Sequence, residues 1–161
     1  MINANIEQTI IRNLLTDEEY MRKVMPFIDP AYFEGVYSSL FKQVCAFAAK
    51  YNKLPTAEAF KIELDNAEGF TDEQHRHAVE ILPELFKTEP VDETWLLTTT
   101  EKWCQDRALF NAVMESITII DGKHKSLTKN ALPDILTKAL GVTFDTNIGH
   151  DYLENVEERY E

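Results

Sequence analysis

Glycine, proline and cysteine are all scarce in this 161-residue chain, at five, six and two residues. So little glycine and proline excludes a low-complexity or collagen-like chain and leaves few loops in which to cradle a ligand. The two cysteines, Cys45 and Cys104, lie 59 positions apart inside apolar helical patterns, which is no disulfide framework and reads as a pair of reduced, cytosolic core thiols. Positive charge is also short. Sixteen Lys and Arg stand against 28 Asp and Glu, a net charge of −12, so the chain is a poor ligand for polyanions and direct nucleic acid binding is not expected. The longest apolar run, Val44 to Ala49, is far too short to span a membrane. Glu7 and Arg12 sit where a signal peptide would need a basic segment and an apolar stretch. No segment alternates with a period of two, so strands are not expected.

What is present is helical spacing. At 44% apolar and 11% aromatic the chain can fill a core. Ile6, Ile10 and Leu14 recur on one face, and Tyr37, Leu40, Phe41, Val44, Phe47, Ala48 and Tyr51 form another stripe. Thr16 with Glu19 and Thr71 with Gln74 have capping-box spacing, and Thr56 after Pro55 marks a further helix start. Pro30 suits a first helical turn, whereas Pro83 should kink or end its helix. Residues 1–88 therefore read as a small bundle of about six short helices.

Residues 89–141 have a different texture. Asp92 can cap a helix running to about Asp121, roughly 40 Å long, with Leu96, Trp103, Phe110, Met114, Ile117 and Ile120 on one stripe. Gly122 ends it, a polar and basic stretch follows from Lys123 to Asn130, and Leu132, Ile135, Leu136, Ala139 and Leu140 make a second stripe stopped by Gly141. Such a hairpin buries its apolar stripe poorly alone and needs the bundle or another chain. Residues 142–161 then read as a connector and an amphipathic helix in which Tyr152, Val156 and Tyr160 lie four apart among glutamates. That helix has no partner left in the sequence, and the expectation is that the chain is the front part of something longer. The fold class is all-α throughout.

Catalytic signatures are few. Gly122-Lys123 is the only Gly-Lys pair; His124 follows it and Ile117 stands where the first glycine of a phosphate loop belongs. His75 and His77, two apart, diverge on a helix and have no partners at zinc-ligand spacing. A Cys–His nucleophile pair is not excluded by spacing, but cysteines in apolar stripes read as inert. The eleven acids from Glu58 to Glu93 face only Lys61, Arg76 and Lys87; Glu80 and Glu84, one turn apart, read as part of a solvated acidic face rather than a dyad. No catalytic, nucleotide or metal site is expected in this chain. Trp95, Trp103, Arg107 and Phe110 carry more information, since aromatics and Arg are enriched at interface hot spots. Core packing or self-association suits Trp103 and Phe110 best, and Arg107 is the better candidate for an intersubunit contact.

Three stretches add a resemblance: Met21 to Glu34 (MRKVMPFIDPAYFE), Trp95 to Asn111 (WLLTTTEKWCQDRALFN) and Phe144 to Tyr160 (FDTNIGHDYLENVEERY). Together with the order of bundle, hairpin, connector and helix, they resemble the N-terminal region of DnaB-like replicative DNA helicases, in particular the branch found in T-even-type phages. The resemblance implies a collar domain in a hexameric ring, built as a trimer of dimers, on which primase and the helicase loader dock in the cytoplasm of the bacterial host. It places Trp103, Arg107, Phe110, Met114, Leu132, Ile135, Leu136 and Leu140 in a hairpin self-association contact. Tyr152, Val156 and Tyr160 would dock on a neighbouring subunit's motor domain. ATP and Mg would belong to a RecA-like motor domain that these 161 residues do not contain. A rival reading is a free-standing collar protein acting as a decoy or adaptor for such a helicase.

Overall fold

The structure, a computed structural model, describes residues 4–144, and these are all-α with no strand among them. Seven α-helices occupy them: α1 (Ala4–Thr16), α2 (Glu18–Val24), α3 (Val36–Tyr51), α4 (Ala57–Asp65), α5 (Asp72–Leu85), α6 (Glu93–Ile120) and α7 (Leu132–Leu140). Short 3-10 turns at Met25–Phe27, Pro30–Tyr32 and Lys129–Ala131 fill the corners. The chain divides between Leu97 and Thr98 into two compact units, so the division falls inside α6.

In the first unit α1 packs on α2, α3 and α5, while α4 packs on α5 and α3. Ile10, Ile11, Leu14, Leu40, Phe41, Phe60, Leu64 and Leu85 are fully enclosed, an apolar core of the kind that supplies most of a small domain's stability. Five α-helices and two 3-10 turns take the place of the six short helices expected.

The helix starts follow their side chains closely. Thr71 and Gln74 close a reciprocal capping box on α5, and the Thr56 hydroxyl accepts from the Ala59 amide at 3.0 Å. The expected box at Thr16 and Glu19 is absent. Thr16 ends α1, its hydroxyl donating to the Arg12 carbonyl at 2.8 Å, and Asp17 caps α2 by accepting from the Tyr20 amide at 3.1 Å. A carboxylate at the helix start also meets the positive end of the helix dipole, which a hydroxyl does less well. Pro83 does not stop α5, which runs two residues further to Leu85.

Candidate functional site

At about 100° per residue, α6 carries three faces in its course through the second unit. Thr100, Trp103 and Arg107 lie within about 60° of one another and are buried, Trp103 being 6% exposed. A second buried row, Cys104, Ala108, Ala112, Ser116 and Ile119, winds round from it, because side chains four apart shift by about 40° per step. A third face, about 140° from that row along the C-terminal half, is apolar and open: Leu109, Phe110, Val113, Met114, Ile117 and Ile120. Phe110 is 50% exposed. The single stripe expected from Leu96 through Ile120 is thus divided. Leu96 and Trp103 are buried, and Phe110, Met114, Ile117 and Ile120 are not. Trp103 and Phe110 are only about 20° apart in longitude, so the winding of the buried row along the axis, rather than longitude alone, decides which is covered.

Polar bridges tie the segments on either side of α7 to one side of α6. The Glu101 carboxylate accepts from the Thr143 hydroxyl at 3.1 Å and the Phe144 amide at 2.9 Å, and the Gln105 side chain donates to the Val142 carbonyl at 3.0 Å. At the other end His124 Nε2 lies 3.1 Å from Glu115, while its Nδ1 accepts from the amides of Ser126 and Leu127 at 3.1 and 3.0 Å. Two amides on Nδ1 fix the proton on Nε2, the tautomer that donates to Glu115. The hairpin is therefore antiparallel and pinned at both ends. Glu101, Gln105 and Glu115 lie on the longitude of the Ala108 and Ala112 row, so the segments before and after α7 are tied to the buried side of α6, and the Phe110 face is left open.

Each residue expected in the hairpin contact can now be placed. Phe110 and Met114 stand on the open face, and the guanidinium of buried Arg107 lies 4.8 Å from the Phe110 ring centroid, close enough for a cation–π contact. Trp103 is enclosed. On α7, Leu132, Ile135 and Leu136 are half-buried, whereas Leu140 is 72% exposed. Leu109 and Val113 complete the open face and were missed by a reading that followed a single seven-residue stripe. Glu101 was missed as well, since a lone carboxylate in a helix gives no sign of the backbone it will hold. Tyr152, Val156 and Tyr160 lie outside the described residues.

The groups considered for catalysis stand apart. Burial pushes the Cys45 thiol up to about 11, and burial with nearby Glu101 pushes Cys104 up to about 12, which suppresses the thiolate that nucleophilic chemistry needs. His75 is engaged with Asp65 at 2.9 Å, and His77 meets the edge of the Tyr37 ring. Glu80 and Glu84 are exposed. Among the described residues no three His, Cys, Asp or Glu side chains are grouped to hold a metal, and no helix is long and apolar enough to cross a membrane.

No family model matches the chain. A DnaB-like replicative helicase of Enterobacteria phage T4 is 32% identical to it over 162 residues, an alignment that covers 95% of this chain and 34% of the relative. The chain thus spans about a third of the length of the curated relative it matches, and the resemblance read from the sequence holds: the chain is similar, over nearly its whole length, to part of a DnaB-like replicative helicase.

Proposed function

We propose that this chain, homologous to a third of a replicative helicase, is the collar domain through which such a helicase assembles and on which primase and the helicase loader dock. The observation that carries the reading is the open apolar face of α6. Leu109, Phe110, Val113, Met114, Ile117 and Ile120 line one side of a helix whose opposite side is already filled, and a contiguous apolar face of that kind marks an association surface. A second copy of the same face is its natural cover, since an isologous contact needs only one self-complementary patch. Arg107 behind Phe110 and Leu140 on α7 flank the contact. In this reading the pairs build a hexameric collar, Tyr152, Val156 and Tyr160 engage a neighbouring motor domain, and ATP and Mg act in that motor domain rather than here, in the cytoplasm of the bacterial host.

Light scattering and sedimentation of this chain over a wide concentration range test the assembly. The expected result is a concentration-dependent dimer or larger species. The double substitution Val113→Asp and Ile117→Asp, at exposed positions, should retain the helical circular dichroism and sediment as a monomer. A chain that is monomeric at every concentration, or a double variant that associates unchanged, overturns the assignment of this face.

A further inference from the structure

The basic loop at the hairpin tip is the feature the assembly does not use. Lys123, Lys125 and Lys129 are exposed and make no ion pair among the described residues. Elsewhere in the structure Lys23, Lys61, Lys87, Lys102 and Lys138 each meet a carboxylate, and Lys42 and Lys53 stand exposed singly, so the tip is where lysines without an ion pair cluster. The loop is also built to hold its shape. Gly122, at φ 75°, closes α6 with amide bonds from Gly122 to Ile119 and from Lys123 to Thr118, the pattern of a Schellman cap. His124 then ties Ser126 and Leu127 to Glu115. Beside Lys129 lies a hollow of about 470 Å³ whose lining also includes Ile119 and Leu127.

We propose that this lysine tip docks on the acidic face of α5 in a second copy of the chain, a contact separate from the apolar face of α6. Glu73, Glu80 and Glu84 lie along one side of α5 and are exposed, Glu84 sharing its charge with Lys87 in an exposed pair at 3.2 Å that a second cation can join; Glu73 and Glu84 are about 16 Å apart at 1.5 Å per residue. Charge complementarity selects this occupant. The chain has net charge −12, its acids are concentrated from Glu58 to Glu93, and the tip carries an unspent positive charge. A nucleic acid strand is the poorer fit: the tip from Gly122 to Asn130 has no arginine and no Phe, Tyr or Trp on which a base would stack, its His124 ring is already engaged by Glu115 and two amides, and three lysines on so acidic a protein give little polyanion affinity. The contact rests on the assembly proposed above, because a ring made of two-fold pairs needs a second interface to close.

Charge reversal with compensation tests it, read by sedimentation at low salt. The Lys123→Glu, Lys125→Glu and Lys129→Glu variant should lose species larger than the pair while keeping the pair itself, and so should Glu73→Lys, Glu80→Lys and Glu84→Lys. An equimolar mixture of the two variants, or one chain carrying all six changes, should recover the larger species, with association within about threefold of the original and at least about tenfold tighter than either variant alone. No recovery overturns the proposal. So does a wild-type chain that never exceeds a pair, which leaves the α6 contact standing. Loss of the pair in the tip variant means that the tip belongs to the α6 contact, and also overturns it. A fluorescent oligothymidylate titration supplies the remaining arm: binding that the tip variant abolishes, with oligomers unchanged, assigns the lysines to phosphate instead.

Discussion

Cys104 is fully buried and Cys45 half-buried, and burial holds both thiols protonated well above their ordinary value of 9.0. A raised pKa in the fold means that the folded chain keeps a proton which the unfolded chain has released. The stabilisation is complete below pH about 9 and is lost as pH rises toward the folded values of about 11 and about 12. Urea midpoints measured from neutral pH upward should therefore fall above pH about 9, and fall less steeply in a Cys45→Ala, Cys104→Ala variant. Comparing the two slopes isolates the thiols from Tyr37, whose phenol is raised by burial and by Glu7 and so works in the same direction. Equal slopes would refute the burial effect. At neutral pH the same burial predicts little reaction of either cysteine with a thiol reagent in the folded chain.

At the scale of the element, α5 shows a conflict between local chemistry and packing. Pro83 has no amide to give the Val79 carbonyl and sits inside the helix, an arrangement that disfavours helix by up to about 3 kcal/mol in an interior. The helix continues because Leu82 and Leu85, on either side of it, are buried in the core of the first unit. Pro83→Ala restores the missing bond at an exposed position, and should stabilise the chain by about 1 kcal/mol, read as a rise of several degrees in melting temperature. No rise would mean that the backbone at Val79 is already satisfied otherwise. The sequence pattern was legible in proportion to how local the causes were. Thr56, Thr71, Asp92, Gly122 and Gly141 act within one turn, and the helices begin or end beside them. The split of α6 into covered and open faces was not legible, because it depends on how the chain returns along α6, and the bonds that tie it there, from Glu101 and Gln105 to residues 142–144, are about 40 residues apart in sequence. The same holds at Asp17, where a one-residue shift moved the cap from Thr16.

For the whole molecule, net charge and apolar surface pull association in opposite directions. A charge of −12 repels a second copy at long range, and that repulsion weakens as salt shortens the screening length to about 8 Å at physiological strength. The face from Leu109 to Ile120 is apolar and its attraction does not depend on salt in this range. The lysine tip against Glu73, Glu80 and Glu84 is an exposed, charge-driven contact that salt weakens. Two interfaces of such different character are separable by ionic strength alone. As salt rises, species larger than the pair should dissolve first, while the pair persists or tightens because like charges on the two copies are screened. Sedimentation velocity across a salt series, at one protein concentration, reads both at once. If all species weakened together with salt, the α6 contact would be electrostatic too, and the apolar face would lose its assignment. If none responded, the lysine tip would carry no part of the assembly.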